Sequence, residues 1–196
     1  MNRAWTVLRE RDYVVSAWSG GTTTQLAISP EGALYADRAF LWRVSSAGVE
    51  LEESEFTALP AYWRLIATLE GEIALRHDGG ESLRLRPLEV HGFDGAWATR
   101  SAGRCRDFNL MLRKGKAEGE MEALPLEESR TLPGDPRGGE QLFFCARGRC
   151  RVESGEDRAL LLTGESLLVG AERPLLLIPE APGAVLMRCR MRCRAK

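Results

Sequence analysis

A chain of 196 residues with 44% hydrophobic and 28% charged side chains has the balance of an ordinary globular protein, long enough to bury a core without metal or disulfide. Its 27 basic and 28 acidic residues give a net charge of -1, which excludes a strongly basic nucleic-acid binder and an acidic disordered tail. No apolar run approaches the ~20 residues of a membrane-spanning helix, and the charged start MNRAWTVLRERDYVV does not read as a secretory signal. A cytoplasmic protein with no membrane or nucleic-acid partner is therefore expected.

The five cysteines (Cys105, Cys145, Cys150, Cys189 and Cys193) form no C-x-x-C pair, and an odd count fits reduced thiols packed as small hydrophobes. His77 and His91 are the only histidines, so a three-histidine metal set is excluded by count. No metal and no other cofactor is expected.

Along the chain, apolar runs of strand length alternate with turn signals. These are Ser19-Gly20-Gly21, Pro30-Glu31-Gly32, Glu70-Gly71-Glu72, Asp78-Gly79-Gly80, Asp94-Gly95, Ser154-Gly155-Glu156 and Pro182-Gly183. No segment sustains a helical period over more than about three turns, and the one candidate for a helix or linker lies between Lys114 and Pro133. The stretch from Lys114 to Pro133, rich in Glu and Lys and holding Pro125 and Pro133, reads as a surface crossover. The clearest strand is the last: Val185, Met187, Cys189, Met191 and Cys193 alternate with Leu186, Arg188, Arg190, Arg192 and Arg194. Its arginine face reads as a solvated face, with an anion-binding surface as the alternative.

The two halves repeat each other. LIATLEGEIALRHDGGESLRL from Leu65 matches LFFCARGRCRVESGEDRALLL from Leu142 in its order of events, with Leu65 over Leu142, Gly71 over Gly148 and Leu75 over Val152 at a constant offset of 77. Many short strands without helices, in duplicate, predict an all-β bicupin. Two jelly-roll β-barrel halves with short connecting segments would be divided as 1–115 (a barrel carrying a ligand pocket), 116–139 (a crossover linker) and 140–196 (a second barrel half).

Four stretches of the first half carry polar or aromatic residues that a purely structural strand does not demand. In Trp18-Ser19-Gly20-Gly21-Thr22-Thr23-Thr24-Gln25, glycines allow close backbone approach to a ligand and hydroxyls line it; a plain turn is the alternative. In Phe40-Leu41-Trp42-Arg43-Val44-Ser45, the alternation places Arg43 with Ser45 and Trp42 on the other face. In Leu59-Pro60-Ala61-Tyr62-Trp63-Arg64-Leu65, Arg64 stands at the entrance of an apolar strand, where it reads as a ligand clamp or, equally, as a structural salt bridge. In Asp107-Phe108-Asn109-Leu110-Met111, Asp107 and Asn109 share one face. If that face points inward they must be hydrogen-bonded, with Arg43 or Arg64 as natural partners.

From Trp18 to Gly115 the order of motifs (Trp and Gly-Gly-Thr, FLWRVSSAGVE, SEFTALPAYWR, LIATLEG, LEVHGFDG, GRCRDFNLMLRKG) resembles the HutD/Ves family of cupin-like bacterial proteins. The resemblance implies a metal-free double jelly roll of the RmlC-like cupin kind and a link to histidine utilisation. It also implies a first-barrel pocket that binds a small acid and regulates rather than catalyses. The candidate ligand-binding set is Arg64 and Arg43 as carboxylate clamps, Trp42 and Phe93 as apolar wall, and Thr23, Ser45 and Asn109 as orienting groups, with Gln25 and Asp107 beside them. The expected ligand is a small carboxylic acid of the formiminoglutamate or urocanate class.

Two other functions compete. A metal-free cupin isomerase or hydrolase acting on a histidine-catabolism acid would need His77 or His91 as general base, oriented by Asp107 or Glu70. A protein-interaction module would use the second half as a partner surface for a transcription repressor. Otherwise that half buttresses the first and forms a homodimer through strand edges.

Overall fold

The computed structural model describes residues 5–194, and among these there is no α-helix. The strands in chain order are β1 (Thr6–Leu8), β2 (Val14–Trp18), β3 (Gly21–Ser29), β4 (Trp42–Val49), β5 (Glu53–Glu55), β6 (Tyr62–Glu70), β7 (Ile73–His77), β8 (Ser82–Leu85), β9 (Val90–Asp94) and β10 (Thr99–Ala102). They continue with β11 (Cys105–Arg113), β12 (Ala117–Leu126), β13 (Arg130–Leu132), β14 (Glu140–Arg147), β15 (Arg149–Ser154), β16 (Asp157–Leu162), β17 (Ser166–Gly170), β18 (Leu175–Pro179) and β19 (Ala184–Cys193). The glycine turns act as the sequence predicts. Gly71 and Gly148 take φ of 74° and 79° at the tight turns β6–β7 and β14–β15, a conformation glycine adopts without steric cost.

The duplication is visible in strand pairing. The first unit has sheets ordered β2-β3-β4-β11-β6-β9 and β5-β10-β7-β8; the second has β1-β17-β14-β19-β12 and β13-β18-β15-β16. Thus β4 to β11 of the first unit correspond one for one to β12 to β19 of the second, with the same neighbours throughout. The register agrees: Ile66 faces Asn109 across β6–β11, and Phe143, 77 residues after Ile66, faces Arg188 across β14–β19.

In each unit the core lies between its two sheets. One cluster holds Ile66, Ile73, Leu75, Leu85 and Phe93, drawn from β6 and β9 on one side and β7 and β8 on the other. The other unit packs Phe143, Val152, Leu161, Leu167, Leu177 and Leu186 in the same way. Each fully buried side chain of this kind contributes about 1.5–3 kcal/mol.

Three features differ from the sequence expectation. First, the segment 116–139 carries strands β12 and β13 instead of a bare crossover; its row Glu118, Glu120, Glu122 is one face of β12. Second, that face meets the arginine row of β19, so Arg188 pairs with Glu122, Arg190 with Glu120 and Arg194 with Glu118. The arginine face is therefore a ladder of cross-strand ion pairs. Third, β1 pairs with β17, Thr6 opposite Leu168, so residues 5–12 belong with 119–193, and 13–118 with Arg194 form the other unit.

Candidate anion-binding site

The site grows from the period-two alternation of three central strands. On β4 the inward residues are Arg43 and Ser45, on β6 Arg64, and on β11 Asp107 and Asn109. Next to β4, β3 presents Gln25, the register partner of Ser45. Arg43 and Arg64 are each only 5% exposed, so both charges lie inside the unit. Arg43 Nε donates to Gln25 Oε1 at 2.7 Å and its Nη1 to Ser45 Oγ at 3.1 Å. Arg64 Nη2 donates to Asn109 Oδ1 at 3.3 Å, and Asn109 Nδ2 donates to Asp107 Oδ1 at 2.8 Å. The Ala47 backbone N–H donates to the same Asp107 oxygen at 3.0 Å. Asp107 is thus held by an amide and a backbone N–H; the arginines predicted as its direct partners act on it from beyond contact distance.

Three aromatic rings face the guanidiniums. Arg43 Cζ lies 4.3 Å from the Tyr35 ring centroid, and Arg38 Cζ lies 3.7 Å from that ring. Arg64 Cζ lies 4.9 Å from Phe56 and 5.1 Å from Phe93. Such stacking over aromatic rings is favourable to a guanidinium and holds its plane in one orientation. Phe93, a predicted wall residue, is one of these rings. Trp42 is not: it projects from the opposite face of β4, and Tyr35 and Phe56 take that place. Thr23 stands on β3 opposite Ala47, two residues from Gln25 and outside the hydrogen-bonded set. The Gly20-Gly21 pair serves strand packing instead of ligand approach. A Cβ on Gly21 would lie 1.9 Å from the Gly48 carbonyl oxygen, and one on Gly20 2.1 Å from the Trp18 ring.

The charge balance of the site is unequal. Burial pushes Arg43 down to about 10, an effect that Arg38 and Arg64 add to and that Tyr35 and Asp107 oppose. Burial lowers Arg64 as well, against Tyr35 and Asp107. Asp107 is pushed up to about 6 by burial, against the Ala47 N–H, Arg64, Asn109 and Arg43. Two guanidiniums therefore face a single carboxylate. Among the described residues Arg43 Nη2, Arg64 Nη1 and Arg64 Nε have no hydrogen-bond acceptor, and Arg64 Nε is fully buried. A buried unmatched donor on a cation, such as Arg64 Nε, favours an anionic partner.

The histidines form a separate pair. His77 Nε2 lies 3.0 Å from His91 Nε2, and His77 Nδ1 lies 2.8 Å from Thr99 Oγ1, whose hydroxyl donates to the Trp97 carbonyl. That acceptor orders the chain: His77 Nδ1–H donates to Thr99, and His91 Nε2–H donates to His77 Nε2. Burial lowers both histidines. Neither meets Asp107 or Glu70, so the acid-oriented general base that an enzyme reading requires is not assembled. Among the described residues no three His, Cys, Asp or Glu side chains converge as a metal site would need. A groove of about 570 Å³ on the outer face of β7 and β10, lined by Arg76 and Arg100 among others, contains none of the predicted residues.

Tyr35, Arg38 and Phe56 were not singled out by sequence. Tyr35 and Arg38 sit on and just after a short 3-10 turn (Tyr35–Asp37) between β3 and β4, where no periodicity reports orientation. Phe56 does fall inside the SEFTALP motif, and its place two residues beyond the buried Ser54 was the available signal.

The paired sheets and enclosed polar centre define an all-β, cupin-like protein. The family model of HutD matches residues 10–187, and the chain belongs to the HutD family. Among solved structures, a conserved protein of unknown function from Pseudomonas aeruginosa PAO1 superposes with a TM-score of 0.85 at 25% identity, covering 96% of this chain and 99% of that one. HutD from Pseudomonas fluorescens SBW25, determined in a formate condition, gives 0.78 at 22% identity over 98% and 100% of the two chains. The nickel(II) complex of the bacterial pirin YhhW from Escherichia coli gives 0.67 at 9% identity over 95% and 98%, a likeness of fold. No curated relative of significant similarity was found.

Proposed function

We propose that this chain is a non-catalytic binding protein for a small carboxylic acid, acting as a regulator in histidine utilisation, and that its two units are the two jelly rolls of a bicupin. The observation that carries the reading is the pair of buried guanidiniums, Arg43 and Arg64, opposed by Asp107 alone, with donors left unmatched. A carboxylate placed between them neutralises the surplus charge and accepts those donors. Tyr35, Phe56 and Phe93 supply the apolar walls that small-ligand sites use. Charge-assisted bonds of about 1.5–3 kcal/mol each, together with partial apolar burial, correspond to recognition in about the micromolar to millimolar range. Membership of the HutD family agrees with a place in histidine utilisation.

Calorimetry with formate, urocanate and formiminoglutamate tests the reading. At least one gives a binding isotherm with a single site, and Arg64→Ala removes it. No heat from any of the three at millimolar concentration refutes the proposal.

A further inference from the structure

The correspondence of strands places a second constellation at the matching position of the other unit. Adding the offset of 77, Arg64 becomes Gln141 and Ser45 becomes Glu122. Across β14–β19, Asn109 becomes Arg188 by register. Donor and acceptor are thus exchanged between the two central strands. In one unit an arginine on β6 reaches an amide oxygen on β11. In the other an arginine on β19 reaches an amide oxygen on β14: Arg188 Nε and Nη2 both donate to Gln141 Oε1, at 3.0 and 2.8 Å. Arg188 is 7% exposed and lies over the Phe143 ring, 5.6 Å from its centroid, as Arg64 lies over Phe93.

What differs is the counter-charge. Glu122, on the edge strand β12, places its carboxylate Oε1 3.1 Å from Arg188 Nη1, while its side chain remains 41% exposed. A carboxylate on a short tether therefore already occupies the guanidinium.

We propose that Arg188 is a second anion site of this chain, one that takes a single-carboxylate ligand of formate or acetate size and is held closed by Glu122 as a built-in, displaceable ligand. The exposed stem of Glu122 gives the route of exchange: its carboxylate swings out to water and a free carboxylate takes its place on Arg188 Nη1. The tether gives Glu122 a high effective concentration, so an external carboxylate competes poorly in the native chain and well once the tethered one is removed. The proposal stands on the second unit alone and does not rest on ligand binding at Arg43 and Arg64.

The test is chemical rescue. Thermal unfolding of the native chain, Glu122→Ala, Glu122→Gln and Glu122→Ala/Arg188→Leu is followed against sodium formate, with sodium chloride as the control at matched ionic strength. Glu122→Ala and Glu122→Gln are expected to gain several degrees in Tm from formate beyond chloride, at least twice the gain of the native chain. The double variant responds as the native chain does. Any contribution of the first site is common to all four proteins and cancels. Equal responses in Glu122→Ala and the double variant overturn the proposal. If Glu122→Ala does not fold, Glu122→Gln is compared with Glu122→Gln/Arg188→Leu, and equal responses of these two overturn the proposal.

Discussion

Replacing Asp107 by asparagine separates the electrostatic account of the site from a merely structural one. The Asp107 carboxyl, ordinarily at 3.8, is raised to about 6 in the fold, chiefly by burial. Below about pH 4 folded and unfolded chains both hold the proton. Between about pH 4 and pH 6 the unfolded chain releases it while the fold retains it, so stability falls as pH rises through that window and is level above it. A rise from 3.8 to about 6 corresponds to about 3 kcal/mol at 1.36 kcal/mol per pH unit. The amide introduced by Asp107→Asn cannot ionise, so this pH-dependent loss disappears from the variant. Its absolute stability is also shifted by about 1–3 kcal/mol if the new amide N–H₂ is left unpaired, which is why the slope and not the midpoint is diagnostic. The same substitution acts on ligand binding. Like charges repel, by about 4 kcal/mol at ~4 Å and less with distance at an effective dielectric of ~20, so removal of the carboxylate tightens anion binding. Urea unfolding at half-unit steps from pH 4 to pH 8, with formate titrations at pH 7, reads both effects. Parallel pH slopes in the native chain and Asp107→Asn, or unchanged formate affinity, refute the reasoning.

Other outcomes follow from the same structure. Tyr35→Ala removes the ring stacked by Arg38 and Arg43 and weakens carboxylate binding by about tenfold, a cation–π loss of about 1–2 kcal/mol, whereas Tyr35→Phe retains most of the affinity by calorimetry. Phe93→Ala, at a site 1% exposed and in contact with the Arg64 guanidinium, lowers unfolding stability by about 3–5 kcal/mol in urea titration. Gly21→Ala meets the Gly48 carbonyl oxygen at 1.9 Å and gives an insoluble or strongly destabilised chain by expression and thermal scan. Titration with an aromatic disulfide at pH 8 labels the exposed Cys193 rapidly. Burial pushes Cys145 to about 12 and Cys150 to about 11 and raises Cys189 further, so these three react only on unfolding.

How much the sequence revealed depended on whether a pattern was local. Alternation along β4, β6 and β11 was enough to put Arg43 with Ser45 and Asp107 with Asn109 on shared faces, and the offset of 77 anticipated a duplication that strand pairing repeats. Partners across strands were not readable. The run Glu118, Glu120, Glu122 looked like a solvated connection because its complement, the arginine row of β19, lies some seventy residues away in sequence. Tyr35 was invisible for a different reason: an irregular segment carries no period from which to infer a direction. Trp42 shows the opposite error, where composition outweighed the alternation that already set it on the face away from Arg43.

The pairing of β1 with β17 bears on biosynthesis. β1 is synthesised long before its partner, since Thr6 pairs with Leu168, 162 residues further along the chain. Until then Val7 and its neighbours have nowhere to dock, while residues 13–118 can close on themselves. Once β1 docks, residues 5–12 are joined to a unit built from residues 119–193. Cutting the gene between the two repeats would therefore leave the downstream fragment short of an outer strand that it cannot supply for itself.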